Sequence, residues 1–371
     1  MSPVYLDWNA TAPPLPTVIH AVAEASSRAW ANPSSVHSLG SEARRTVERA
    51  RTQIAELMAC RPLDIVFTSG GTEANNLALR SHLSRVSHVL CSKLEHPSAL
   101  RVVEAAADHQ IHWLPIDEAG RVDADVVAQI LQDLGEPALV VIQSVNHETG
   151  VIQPADAIVR CAHEYGAVVH VDAVQAVGKL RAIPGRDADT LSLSAHKFRG
   201  PKGIGALVGA GCGRLTPLLL GGSQERKIRP GTSSPPLAAG FGSAASWARE
   251  APERYDAIQV LRDHLQDELV TLGARVNGGE PRVPHVVNLS FDEIRGDELV
   301  AALDVEGVCV SSGSACSAGS PEASAVVTAM HGSDRGRTAV RLSLGDETTK
   351  GDVDTALAAL RRVLRRCRGD G

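Results

Sequence analysis

Between residues 64 and 208, short apolar runs alternate with longer amphipathic stretches, and this alternation constrains the fold more than any other feature. The runs fall at 64–68, 88–91, 111–115, 138–144, 167–172, 190–194 and 204–208. Each has the length of a strand rather than a helix. Helical patterns occupy 41–59, 72–83, 98–108, 124–134 and 155–165, and Thr72 reads as a helix cap. Strands that alternate with helices build an α/β fold, a mostly parallel sheet covered by helices on both faces.

The character changes near residue 235. Ser234-Pro235-Pro236 opens a helical stretch to about 250, and a charged helix follows at 252–272. Next come a strand at 285–291, a helix at 296–303, a strand at 308–310, a strand at 338–344 and a closing helix at 350–366. This is a smaller α+β unit. Two domains are expected, a large one over 15–245 and a small one built from 1–14 and 246–371. No internal repeat interrupts this order.

Composition narrows the chemistry. A formal net charge of −6 gives no general field for nucleic acid or a membrane surface. Aromatics make up only 3%, too few for base-stacking platforms. The seven cysteines are odd in number and form no CxxC pair, which argues against a disulfide framework or a zinc knuckle. No signal peptide is visible at the start, and no apolar run approaches the ~18 residues of a membrane helix. A reducing cytoplasm is the expected compartment.

Six lysines stand in the chain, so few amines compete for reaction with a carbonyl. Lys197 lies in Ser194-Ala195-His196-Lys197-Phe198-Arg199-Gly200, after one apolar run. Asp172 ends another, in His170-Val171-Asp172-Ala173-Val174-Gln175. An amine can condense with an aldehyde, and a carboxylate can keep a pyridine nitrogen protonated. Together they suit pyridoxal phosphate. Alone, the lysine also reads as a loop residue and the aspartate as a helix cap.

Thr68-Ser69-Gly70-Gly71-Thr72-Glu73 joins a strand to a helix. Glycines let backbone approach an anion, and a helix N-terminus offers free amides, so a phosphate would sit well there. Ser194 and His196 could add donors. His96, in Glu95-His96-Pro97, could stack on a ring and carry protons near neutral pH. Gln175 and His147 could meet a ring hydroxyl. Arg341 interrupts an apolar strand, and a guanidinium can grip an α-carboxylate through two hydrogen bonds. Cys316 lies in Ser311-Ser312-Gly313-Ser314-Ala315-Cys316-Ser317-Ala318-Gly319, a small, polar stretch where a thiol is expected to be exposed.

Together these segments resemble the cysteine desulfurase family of fold-type I pyridoxal-phosphate enzymes, which are class V aminotransferase-like. Tyr5-Leu6-Asp7-Trp8-Asn9-Ala10-Thr11-Ala12-Pro13, Asn32-Pro33-Ser34-Ser35 and Arg229-Pro230-Gly231-Thr232 extend the resemblance over nearly the whole chain. It implies a large domain with a seven-stranded mixed sheet, mostly parallel, beside the smaller α+β domain. It implies pyridoxal 5'-phosphate as cofactor, carried covalently by Lys197, with Asp172 on the pyridine nitrogen and His96 stacking on the ring. Gln175 and His147 would touch the 3-hydroxyl. Gly71, Thr72, Ser194 and His196 would hold the phosphate, with Thr232 entering from the second subunit of a homodimer. Arg341 and Asn32 would bind the substrate carboxylate. Cys316 would take sulfur from L-cysteine as a persulfide, release L-alanine and pass the sulfur to an acceptor protein.

His147 departs from the family pattern, where many relatives carry asparagine. Its protonation is expected to alter the spectrum and pH response. Another pyridoxal-phosphate reaction, a selenocysteine lyase or an aminotransferase, and a non-catalytic assembly partner are the alternatives. No metal, membrane or direct nucleic-acid contact is expected.

Overall fold

The computed structural model describes residues 3–313 and 323–368. The chain begins with a short strand, β1 (Val4–Tyr5), then two helices, α1 (Pro16–Arg28) and α2 (Ser38–Met58). The alternating region follows: β2 (Ile65–Thr68), α3 (Gly71–Leu83), β3 (His88–Cys91), α4 (Pro97–Glu104), β4 (Gln110–Trp113), α5 (Ala124–Leu134), β5 (Ala138–Gln143), α6 (Ala155–Glu164), β6 (Val168–Asp172), β7 (Thr190–Ser194) and β8 (Gly205–Val208).

The strands of that region form one seven-stranded sheet in the order β2-β8-β7-β6-β5-β3-β4. Neighbours from β7 through β4 run parallel, while β8 is antiparallel to both β7 and β2. The central strand β5 is buried at all six positions, as expected where helices cover both faces. The expected α/β class with a mostly parallel sheet is therefore the observed one.

Local signals explain several boundaries. The side chain of Asp123 accepts the Asp125 N–H at the start of α5, and Gly135 closes that helix in the left-handed conformation at φ 61°. One expectation needs correction. Thr72 does not cap α3: Gly70 takes that place with an extended-mirror φ of 156°, and Thr72 sits in the first turn. Backbone shape, not a hydroxyl, starts this helix.

The second half contains α7 (Pro235–Ala248), α8 (Ala251–Thr271), β9 (Arg275–Val276), β10 (Val286–Ser290), α9 (Gly296–Val305), β11 (Val308–Cys309), α10 (Ala325–His331), α11 (Ser333–Arg337), β12 (Ala339–Ser343) and α12 (Lys350–Arg368). Here β10 pairs antiparallel with both β12 and β9. The N-terminal strand β1 pairs in parallel with β11 across the length of the chain.

Two large apolar clusters reflect this layout. One runs from Leu15 to Ala248 and fills the space around the seven-stranded sheet. The other joins Val4 and Leu6 to side chains between Ile258 and Leu364. Residues 7–15 cross between them. On the way, Ala12 N–H donates to the His196 carbonyl and Leu15 N–H to the Arg199 carbonyl. Buried Arg199 ties the clusters through Asp346 at 2.9 Å and lies over the Trp8 ring, 5.4 Å from its centroid. No helix among the described residues is long and apolar enough to cross a membrane.

Candidate active site

Parallel strands leave their C-terminal ends open at the sheet edge, where α/β folds bind ligands. Here the ends of β5, β6 and β7 border a cavity of about 200 Å³. The α3 turn contributes Gly71 and Thr72, the β3–α4 loop His96, and the segment after β5 His147. Asp172 and Gln175 follow β6; Ser194, His196 and Lys197 follow β7; Arg341 arrives from β12. Residues up to 332 positions apart in sequence meet here, since Asn9 and Arg341 both line it.

Lys197 stands on a single turn after β7, and its Nζ donates to the carbonyls of Asn9 at 2.7 Å and Ala10 at 3.0 Å. Asp172 accepts from Asn75 Nδ2 at 2.9 Å and from the Val174 N–H at 3.0 Å. Both donors are neutral, so the carboxylate meets no positive partner in these two bonds. Gln175 is fixed from two sides. Its Nε2 donates to the Asn9 carbonyl at 3.1 Å, and its Oε1 accepts from Lys179 at 2.5 Å. Lys179 is fully buried, and burial first, then the charges of Lys197 and Arg341, holds its amine well below the usual lysine range.

Burial disfavours charge on the imidazoles. Burial lowers His96, with Asp172 opposing and Lys197 reinforcing that shift. Burial pushes His196 down to about 3, with nearby lysines adding to it, and its Nδ1 lies 3.2 Å from Thr11 Oγ1. His147 is held well below its ordinary value by burial, then by His96, Arg341 and Lys197. Its ring stands edge-on to His96 with centroids 5.0 Å apart. Burial and these cationic groups thus oppose the expected His147 protonation, while the Glu148 carboxylate lies 3.7 Å from its Nε2.

The residues fit a pyridine-ring phosphate ester. Gly71 leaves a cradle that a side chain would fill, since a Cβ there would meet Val174 Cγ2 at 2.9 Å. The helix N-terminus it opens suits a phosphate. Among the described residues, the buried His147 Nδ1 and Arg341 Nε have no hydrogen-bond partner, although both belong to cavity-lining side chains. Buried polar atoms without a partner call for an explanation, and a ligand in this cavity would supply one.

Two expected residues do not line this cavity. Asn32 is exposed, and its side chain accepts the Ser34 N–H at 2.9 Å. Thr232 is exposed beside a neighbouring cavity with Ser69 and Arg229. Within one chain neither reaches Lys197's cavity, because each sits on a loop directed elsewhere. Cys316 lies outside the described residues. Conversely, Asn9, Asn75, Ser98 and Gln143 line the cavity without having been singled out. Asn75 carried a faint signal, lying one helical turn beyond Gly71 on the same face.

The model of the family described as Aminotransferase class-V matches residues 4–356. A cysteine desulfurase of Bradyrhizobium diazoefficiens is 38% identical over 99% of this chain and 96% of its own. A cysteine desulfurase of Nostoc is 37% identical over 99% and 94%. The chain belongs to the class-V aminotransferase family, in its cysteine desulfurase group. Solved structures agree with this family assignment. One titled NIFS-like protein superposes with a TM-score of 0.90 at 30% identity, covering 98% of this chain and 100% of its own. Another, SspA in complex with cysteine, gives 0.78 at 30% identity, covering 93% and 99%. The family's cofactor is pyridoxal 5'-phosphate, in keeping with the fit of the cavity.

Proposed function

We infer that the chain is a pyridoxal-phosphate-dependent cysteine desulfurase that converts L-cysteine to L-alanine and keeps the sulfur on Cys316 as a persulfide. The observation that carries this reading is the meeting of Lys197 and Asp172 at one cavity wall, beside the cradle at Gly71. When bound, the cofactor supplies an electron sink next to the substrate's α-carbon.

The protein groups supply the rest. Lys197 offers an amine for covalent attachment and afterwards moves a proton at the α-carbon. Asp172 offers its carboxylate to a pyridinium proton. His96 offers a neutral imidazole that can accept or return a proton. The first turn of α3, with Thr72, Ser194 and His196, serves a phosphate. Arg341 serves the substrate's carboxylate. The Cys316 thiolate attacks the substrate sulfur; the S–S bond forms as the C–S bond breaks, and the carbon left behind takes a proton to become alanine.

The sulfur then passes to an acceptor protein, and the two apolar clusters support large and small domains divided near residue 245. A homodimer that shares its sites would bring Thr232 of the second copy to the phosphate. The cytoplasm is the compartment that keeps such a thiol reduced. The test is Cys316→Ala. It should keep the cofactor's visible band and lose sulfide release from L-cysteine under a thiol reductant. Full sulfide release by that variant would contradict the persulfide route, and faster turnover of selenocysteine or an amino-group acceptor would point to another member reaction.

A further inference from the structure

Asn75 is 1% exposed and lines the cavity from α3. Its Nδ2 lies 2.9 Å from Asp172 Oδ2 and 2.8 Å from Ser98 Oγ. A carboxylate oxygen accepts, so the NH2 end must face Asp172. The Oδ1 end therefore faces His170 Nε2, at 2.9 Å. The amide has no freedom to flip, because its neighbours decide which end is which.

Each end of this amide continues into an ordered chain. On one side, His170 donates through Nε2, so its Nδ1 accepts from Thr190 Oγ1 at 3.0 Å. Thr190 Oγ1 in turn accepts from His82 Nε2 at 3.1 Å. Burial drives His170 down to about 3, in agreement with a neutral ring in this direction. On the other side, Ser98 Oγ accepts from Asn75 and lies 2.7 Å from His96 Nδ1. The Ser98 backbone N–H meets the same nitrogen at 3.1 Å. A backbone N–H only donates, so His96 Nδ1 carries no proton and the ring proton sits on Nε2.

We propose that Asn75 is the positioning residue of this site: one buried amide, locked by His170, orients the Asp172 carboxylate and, through Ser98, aims the hydroxyl that donates to His96 Nδ1. This rests on the reading of the cavity as a pyridoxal-phosphate site. The two NH2 hydrogens of Asn75 have two acceptors and its oxygen has one donor, so no contact is spare. Loss of the amide leaves Asp172 with the Val174 N–H alone among these bonds. It also frees Ser98 to turn its hydroxyl, which leaves His96 Nδ1 with the Ser98 N–H alone of its two donors.

The test titrates apoprotein with pyridoxal 5'-phosphate and follows the bound cofactor's absorption through neutral pH, for wild type, Asn75→Leu and Ser98→Ala. Asn75→Leu should bind the cofactor roughly ten- to a hundredfold more weakly, the range for losing a hydrogen bond to a charged acceptor. Its spectral midpoint should also move. Ser98→Ala cuts only the His96 arm, so cofactor affinity should hold while the pH–rate profile shifts. Wild-type apoprotein that takes up no cofactor would overturn the functional reading itself. Wild-type binding together with an unchanged affinity and spectrum in Asn75→Leu would overturn the role of Asn75. If Asn75→Leu does not fold, Ser98→Ala decides: an unchanged pH–rate profile, or a loss of cofactor affinity, contradicts the proposal.

Discussion

Arg341 lies 2.8 Å from the carboxylate of Asp7 and also donates to the His147 carbonyl at 2.9 Å. The guanidinium assigned to the substrate carboxylate is thus already held, with Nε as its unpartnered nitrogen among the described residues. Asp7 keeps the buried charge paired and aimed until a second carboxylate arrives. Arg341→Ala should raise KM for L-cysteine by the equivalent of about 2–3 kcal/mol, with a smaller change in kcat. Asp7→Asn should change KM less than Arg341→Ala does, because the guanidinium keeps its charge and its bond to the His147 carbonyl. Steady-state kinetics on both variants checks this; an unaltered KM in Arg341→Ala would contradict the assignment.

Gly71 has room for no side chain. Its added Cβ would stand 2.9 Å from Val174 Cγ2, closer than such atoms pack. Gly71→Ala should therefore displace the first turn of α3 and weaken cofactor binding by roughly tenfold, about the ~1.4 kcal/mol of a modest overpacking cost. Val174→Ala in the same chain should restore much of it. Fluorescence titration of the apoproteins reads both. An unrestored double variant would contradict the role given to the Val174 contact.

Burial of imidazoles sets an acid limit. His170 and His196 are driven down to about 3, and His82 to about 4, while the unfolded chain protonates histidine near 6.5. Below 6.5 the unfolded state binds more protons than the folded one, so stability falls with falling pH. The contribution is whole above 6.5 and is lost progressively as pH drops toward 3. The thermal midpoint should decline steadily on acidification from neutrality. A midpoint flat between neutral and mildly acidic pH would contradict this account of the three rings.

Asp172→Asn keeps the size of the side chain and removes its charge. Cofactor retention and turnover should both fall, with turnover lower by roughly 10²–10³, the cost of deleting one electrostatic stabiliser in a dry site. A fully active Asp172→Asn protein with normal cofactor content would show that the carboxylate charge is dispensable.

Much of this was legible in the residues. The strands His88–Cys91 and Thr190–Ser194 and the helix Ala124–Leu134 fall at the expected positions, because apolar period and end signals agree there. The helix Pro16–Arg28 was not anticipated. Its start, Ala12-Pro13-Pro14-Leu15-Pro16, reads as irregular chain, and it is packing against Pro235–Ala248 that settles it. The pairing of Val4 with Val308 joins the two ends of the chain, and two-residue strands carry no period to read. At the site, residue types with distinctive chemistry stood out: an amine, a carboxylate, imidazoles and a glycine turn. Asn9, Asn75 and Ser98 did not, because an amide or hydroxyl gains its meaning only from the atoms around it.

The most direct measurement is borohydride reduction of the holoprotein followed by peptide mass mapping. The reduced pyridoxyl adduct should be found on Lys197 and should disappear in Lys197→Ala. An adduct on another lysine, such as the buried Lys179, or none in protein that carries the cofactor, would contradict the account.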